Sequence, residues 1–130
     1  MEILSIEDNK GAVGLIEKFF KDTKIRISLH VAKDEEAVRF LCCENNFLGS
    51  LRPDIIILDL NLPKKDGREV LREIKENSDL KNIPAIILTP SSAEKDILRA
   101  YNLHANAYIV KPIDFNELMK VIGSIEEFWF

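Results

Sequence analysis

The amino-acid sequence predicts an α/β fold in which helices cover both faces of a doubly wound, five-stranded parallel sheet. Short apolar runs alternate with amphipathic stretches along all 130 residues, a pattern that produces right-handed βαβ crossovers. The run Ile55–Leu58 is apolar throughout, as is typical of strands buried on both faces. The length fits one domain over residues 1–130.

Five short runs, mostly rich in branched side chains, are the predicted strands. They are Ile3–Ile6, Ile25–Val31, Ile55–Leu58, Ala85–Leu88 and Ala107–Val110. Turn chemistry from Pro63 to Gly67 marks the connection that follows the third strand.

Five helical patterns follow the strands, each with apolar residues on one face. These residues are Val13, Ile16 and Phe20 in the first helix, Val38, Leu41 and Cys42 in the second, Val70, Leu71 and Ile74 in the third, Ile97, Leu98 and Tyr101 in the fourth, and Leu118, Val121, Ile122 and Ile125 in the fifth. Two capping-box signals, Ser91-x-x-Glu94 and Asp114-x-x-Glu117, predict the starts of the last two helices.

Composition and charge argue against several classes of protein. The net charge of -4 disfavours nucleic acid as the main partner. No apolar run approaches the ~20 residues that cross a bilayer, and the N-terminus MEILSIED is too acidic for a signal peptide. We therefore expect a cytoplasmic protein with no membrane partner. Cys42 and Cys43 are adjacent, which suits neither a stapling disulfide nor a metal site, and we interpret them as free thiols.

Polar residues follow four of the five apolar strands. They are Glu7 and Asp8 after the first strand, Asp59 after the third, Thr89 after the fourth, and Lys111 with Pro112 after the fifth. Functional groups in parallel sheets gather at the carboxyl ends of the strands. We therefore expect these side chains to converge at one edge of the sheet.

Three carboxylates brought together would raise one another's pKa unless a cation lies among them. Mg²⁺ is the natural candidate, because it prefers oxygen ligands and keeps several positions for water and phosphate. Lys111 adds a positive charge suited to phosphate or carboxylate, and Thr89 adds a hydroxyl donor. The pattern predicts a magnesium site at this edge of the sheet, beside a lysine that can pair with phosphate or carboxylate.

This set of residues, with Leu62-Pro63 and Gly67 after the aspartate, resembles the receiver domain of two-component response regulators. The resemblance covers essentially the whole chain, so we expect no output domain. The opening MEILSIEDN and the closing IEEFW are most similar to stand-alone regulators that partner bacterial phytochromes. The family implies a flavodoxin-like (βα)5 fold with strand order 2-1-3-4-5. It also implies a signalling domain that assists its own phosphotransfer and dephosphorylation, and not a turnover enzyme.

The resemblance implies a role for each acidic residue of the site. Asp59 would be the nucleophile that accepts a phosphoryl group from a histidine kinase. Glu7, Asp8 and Asp59 would hold Mg²⁺ together with the backbone carbonyl of Asn61. Catalysis of this kind depends on positioning and charge neutralisation.

The resemblance also implies how modification is reported. Lys111 would pair with Asp59 and then with a phosphoryl oxygen, while Thr89 would hydrogen-bond another phosphoryl oxygen. Pro112 would follow a cis peptide bond that aims the lysine. Tyr108 would swing inward as Thr89 moves, and so remodel the surface formed by the fourth helix, the fifth strand and the fifth helix. The added charge of roughly -1.5 to -2 drives this change.

Pro90 departs from the family, in which the residue after the threonine is usually small. It would restrict the coupling between Thr89 and Tyr108, so a docking module that works without phosphorylation stays open as a second interpretation. A phosphatase of the haloacid dehalogenase type is disfavoured, because Asp59-Leu60-Asn61 lacks the second carboxylate. A flavodoxin-like FMN protein is disfavoured as well, because no phosphate-binding loop follows the first strand.

The last residues of the sequence are strongly aromatic. Leu118, Ile122 and their neighbours already give the fifth helix a complete apolar face, and Phe128 and Trp129 continue beyond it. Aromatic residues outside a core are typical of contact surfaces. We therefore predict a homodimer, or docking of the kinase, through the fourth helix, the fifth strand and the fifth helix.

Overall fold

A computed structural model gives the fold. It describes residues 2–7, 10–22, 27–32, 53–60, 67–77, 80–90, 92–111 and 114–129, the last five by their backbone alone. The strands are β1 (Glu2–Ile6), β2 (Ser28–Ala32), β3 (Ile55–Asp59), β4 (Ala85–Thr89) and β5 (Ala107–Val110). They form one parallel sheet in the order β2-β1-β3-β4-β5. The predicted fold class and strand order are confirmed.

Four helices accompany these strands in the described part of the chain. They are α1 (Lys10–Asp22), α2 (Gly67–Glu76), α3 (Glu94–Asn102) and α4 (Phe115–Trp129). The predicted second helix, with Val38, Leu41, Cys42 and Cys43, lies outside the described residues. The labels α2, α3 and α4 therefore stand for the predicted third, fourth and fifth helices. None of the described helices is long and apolar enough to cross a membrane.

The core lies on both faces of the sheet. All five residues of β3 and all five of β4 are buried, as the apolar runs predict for strands covered on both sides. On one face, the sheet packs against Val70, Leu71 and Ile74 of α2 and against Ala100 of α3. On the other face, it packs against Ile16 and Phe20 of α1 and against Leu118 and Ile122 of α4. The two layers of helices hold the carboxyl ends of the central strands in fixed positions.

The predicted apolar face of α3 is partly wrong. Leu98 and Tyr101 are 56% and 46% exposed, whereas Ala100 is buried and Ile97 is half-buried. Successive helical residues are rotated by about 100°, so the stripe through Ile97 and Ala100 turns Leu98 and Tyr101 away from the sheet. Only a narrow part of α3 contacts the core.

For one of the two predicted capping boxes, the hydrogen bonds to the N-cap side chain are confirmed. The Asp114 Oδ1 atom accepts hydrogen bonds from the backbone N–H groups of Asn116 (2.9 Å) and Glu117 (3.2 Å) at the start of α4. The Ser91 box is wrong, because Ala93 is the N-cap of α3 and no side chain caps it. The extended backbone at Ala93 delays the helix, which begins two residues later than that box requires.

Candidate functional site

Four polar residues lie together at the carboxyl edge of the sheet. Asp59 and Thr89 are the last residues of β3 and β4, while Glu7 and Lys111 directly follow β1 and β5. The backbone N–H of Lys111 donates to the carbonyl oxygen of Thr89 at 2.8 Å, which extends the ladder between β4 and β5 by one bond. Strand pairing therefore fixes the positions of these residues.

Lys111 joins the first and third strands through its side chain. Its Nζ atom donates to Glu7 Oε2 at 2.7 Å and to Asp59 Oδ2 at 3.2 Å. The two carboxylates are nearly inaccessible, with Glu7 2% and Asp59 5% exposed. Buried charges are tolerated when they are paired and hydrogen-bonded, and this contact explains how an aspartate can end a strand as apolar as β3.

The charges at this edge are not balanced by Lys111 alone. Burial raises the pKa of Glu7, and the nearby Asp59 raises it further, while the hydrogen bond from Lys111 lowers it only in part. Burial alone would lower the pKa of Lys111, but the hydrogen bond to Glu7 and the charges of Asp59 and Glu7 outweigh it, so that pKa is raised. Two buried carboxylates that share one ammonium retain negative charge, which favours an additional cation.

The Thr89 hydroxyl is buried, and its Oγ1 atom has no hydrogen-bond partner among the described residues. An unpaired buried hydroxyl is unfavourable, so this group can gain a bond when a ligand oxygen reaches it. Tyr108 lies opposite Ile87 in the β4–β5 ladder and is half-buried against the α2 and α3 side of the core. The predicted switch residues therefore lie on neighbouring strands.

Gly67 lies directly against the end of β3. A Cβ atom at this position would be 2.5 Å from both the carbonyl oxygen of Asp59 and the Cα atom of Leu60, a distance that no ordinary side chain tolerates. The backbone N–H of Gly67 also donates to the Leu60 carbonyl at 3.1 Å. The start of α2 is thereby fixed to the strand end that carries Asp59.

Several predicted site residues cannot be placed in this geometry. Asp8, Asn61, Pro63 and Pro112 lie outside the described residues. Within the described ranges no group of three or more histidine, cysteine or acidic residues is arranged to hold a metal ion. The described contribution to the predicted metal site is the pair of Glu7 and Asp59.

An ion pair next to this edge was not predicted from the sequence. The Nη2 atom of Arg68, the residue after Gly67, donates to Asp96 Oδ1 of α3 at 2.8 Å. The two residues are 28 positions apart, in different helices, so no local spacing rule could have paired them. The sequence offered two signals for this pair. Arg68 directly follows the turn glycine Gly67, and Asp96 lies in the first turn of the next helix along the chain.

Comparison with known proteins identifies the family. The model of the response regulator receiver domain matches residues 3–123. The chain belongs to the response regulator receiver family. Response regulator Rcp1 of Synechocystis sp. is 44% identical to this receiver over 128 residues, which cover 98% of this chain and 87% of Rcp1. The resemblance inferred from the strand-end residues is confirmed.

Two solved structures are similar to this receiver over nearly its whole length. The crystal structure of the Mn²⁺-bound form of Rcp1 has a TM-score of 0.83 and 43% identity, covering 98% of this chain and 93% of the other. The phosphorylated cyanobacterial phytochrome response regulator RcpA has a TM-score of 0.84 and 42% identity, covering 98% and 92%. The first relative is thus described with a divalent metal, and the second in a phosphorylated form.

Proposed function

We propose that this receiver accepts a phosphoryl group on Asp59 from a sensor histidine kinase, in a Mg²⁺-dependent reaction. It then signals through the surface formed by α3, β5 and α4, which we call the output face. The observation that carries the proposal is the contact of Lys111 with both Glu7 and Asp59. This contact holds the carboxylate of Asp59, the nucleophile, at the carboxyl edge of the sheet. It also places the Lys111 ammonium, which can pair with phosphate, next to that carboxylate.

The donor set at this edge fits a hard divalent cation. Glu7 and Asp59 are buried carboxylates with incompletely balanced charge, and Asp8 and the backbone carbonyl of Asn61 would complete the protein ligands. The Mn²⁺-bound form of Rcp1 supports this assignment. When bound, the cation supplies neutralisation of the negative charge that gathers on the transferring phosphoryl oxygens.

The residues of the chain carry the remaining steps. A carboxylate oxygen of Asp59 forms the new bond to phosphorus as the bond from phosphorus to the kinase histidine nitrogen breaks. Lys111 moves its hydrogen bond from Asp59 to a phosphoryl oxygen. The Thr89 hydroxyl, which has no partner among the described residues, donates to another. The movement of Thr89 leaves room for Tyr108 to turn inward, which changes the output face.

The similarity to RcpA supports a kinase of the phytochrome class as the partner. Such a reaction takes place in the cytoplasm, where we place the protein. The output face is also the proposed site of homodimer formation or kinase docking, with Phe128 and Trp129 near the end of α4. No nucleic acid or membrane takes part in this scheme.

Substitution of the acceptor tests the proposal directly. Asp59→Asn keeps the shape of the side chain and removes the nucleophile, so it should abolish Mg²⁺-dependent labelling by acetyl phosphate. Asp54→Asn, directly before the same strand, is the control, because Asp54 is another aspartate, whose side chain accepts a hydrogen bond from the backbone N–H of Glu2, and it lies away from the site. Labelling of Asp59→Asn at the wild-type rate would exclude Asp59 as the acceptor.

A wild-type protein that folds, yet shows no Mg²⁺-dependent response to acetyl phosphate or beryllofluoride, would favour the alternative function. In that case the receiver fold acts as a docking module without phosphorylation. The observation behind this alternative is Pro90, which directly follows the buried Thr89 and would limit the room available for Tyr108.

A further inference from the structure

The ion pair between Arg68 and Asp96 connects the first turns of two helices. Arg68 is the second residue of α2, and Asp96 is the third residue of α3. Their side chains are 20% and 18% exposed, and the Nη2 to Oδ1 distance is 2.8 Å. A half-buried pair with this geometry is stronger than the average surface salt bridge, because solvent screens it less.

Arg68 is held close to the strand end that carries Asp59. Its neighbour Gly67 contacts the backbone of Asp59 and Leu60 and donates a hydrogen bond to Leu60. A shift of this backbone must therefore move the start of α2, and the guanidinium group moves with it. The pair is positioned to pass that displacement on to α3.

Within the described part of the chain, few residues of α3 are buried against the core. The helix has nine residues, which is too short for independent stability, and its N-cap Ala93 provides no side-chain hydrogen bond. Ala100 is its one buried residue, while Leu98 and Tyr101 face solvent. An ion pair in the first turn therefore contributes a large share of what positions α3.

We propose that Arg68 and Asp96 form a latch that sets the resting position of α3 and couples it to the end of β3. This route runs through α2 and is separate from the route through Thr89 and Tyr108. The effect of the latch on the resting position of α3 holds whether or not Asp59 is modified. The coupling to modification of Asp59 rests on the proposed function.

A double-mutant cycle on the unmodified protein tests the latch. Amide hydrogen exchange of α3 is measured in Arg68→Ala, in Asp96→Ala and in the double variant. Each single variant should speed exchange of α3 by about fivefold, and the double variant should be no faster than the singles, because the same interaction is lost. Arg72→Ala and Lys95→Ala remove exposed charges from the same two helices and should not speed exchange of α3. The proposal is overturned if the single variants exchange α3 amides at the wild-type rate. It is also overturned if the effects of the two single substitutions simply add in the double variant.

A second measurement tests the coupling. Addition of Mg²⁺ and beryllofluoride should change the exchange of α3 in the wild-type protein, and this change should shrink at least about threefold in the double variant. An undiminished change in the double variant overturns the coupling. If the wild-type protein does not bind beryllofluoride, the proposed function fails, while the cycle on the unmodified protein still decides whether the latch exists.

Discussion

Gly67 packs against the backbone of Asp59 so closely that a Cβ atom would lie 2.5 Å from the Asp59 carbonyl oxygen. We predict that Gly67→Ala lowers the free energy of unfolding by about 1–3 kcal/mol, because the backbone must shift to make room. The variant should also accept phosphate more slowly, since the shift displaces Asp59. Urea denaturation and acetyl phosphate labelling measure the two effects.

Gly14 provides the matched control for this substitution. Apart from the adjacent backbone of α1, no atom of the described residues lies within 4 Å of a Cβ at this exposed position, so Gly14→Ala should raise stability by up to about 1 kcal/mol through helix propensity. Equal responses of the two variants would contradict the close contact at Gly67.

Removal of the Lys111 ammonium should destabilise the metal-free protein. Lys111→Met leaves the buried carboxylates of Glu7 and Asp59 without their shared partner, which should cost about 3 kcal/mol at neutral pH. Millimolar Mg²⁺ should restore part of this loss, because the cation replaces the missing positive charge. Thermal unfolding with and without Mg²⁺ is the measurement. Lys120→Met removes an exposed lysine of α4 and should show neither effect.

The raised pKa of Glu7 predicts how metal-free stability depends on pH. Burial raises this pKa above its ordinary value of 4.5, so just above pH 4.5 the folded state holds a proton that the unfolded state has released. Stability should therefore fall as pH rises through the window between 4.5 and the folded pKa. Glu7→Gln should remove this part of the dependence and be more stable than wild type at neutral pH in chelator. The same pH slope in Glu7→Gln and wild type would contradict this assignment, and exposed Glu17→Gln is the control.

Lys75 connects the end of α2 to two neighbouring segments. Its Nζ atom donates to the carbonyl oxygens of Lys81 (3.2 Å) and Ile83 (2.9 Å) and to Asn106 Oδ1 (3.2 Å). Lys75→Met should lower stability by about 1–2 kcal/mol, because these acceptors lose their donor. Lys81→Met, at an exposed position, should leave the denaturation midpoint unchanged. A Lys75→Met midpoint equal to that of wild type would show that water replaces the lysine fully.

The end of α4 provides a test of association. The helix continues to Trp129, and aromatic anchors often supply a large share of binding energy. Phe128→Ala combined with Trp129→Ala should weaken self-association, or phosphotransfer from the cognate kinase, by at least tenfold. Sedimentation and phosphotransfer assays compare the variant with wild type, and in the wild-type protein the fluorescence of Trp129, the only tryptophan, also reports association. Leu15→Ala, which removes an exposed apolar residue of α1, is the control. Equal behaviour of the two variants would show that Phe128 and Trp129 serve only in packing and not in association.

The fold and the centre of the site were predictable because they depend on patterns that are local in sequence. The apolar runs that became β3 and β4 are buried as expected, and parallel pairing brings Glu7, Asp59 and Lys111 together whatever the intervening loops do. The residues at the strand ends were therefore sufficient to predict that Lys111 lies close to both carboxylates.

The features that sequence reasoning missed depend on tertiary contacts. Leu98 and Tyr101 fit an apolar helical face, but the sheet meets α3 along the stripe through Ala100 instead. Arg68 and Asp96 are ordinary surface residues until the packing of α2 beside α3 brings them within hydrogen-bonding distance. Which face of a helix is buried, and which side chains of two helices meet, depends on the width of the sheet and on where each helix crosses it. No local sequence pattern encodes these features.

The contact between Lys111 and Glu7 spans 104 residues of sequence, and this separation has a consequence during synthesis. A nascent chain whose β5 is still within the ribosome has its acidic residues but lacks the ammonium that joins them. The complete site can form only after almost every element has emerged and paired. If the proposed function holds, a chain that has not yet paired β5 should therefore be unable to respond to its kinase.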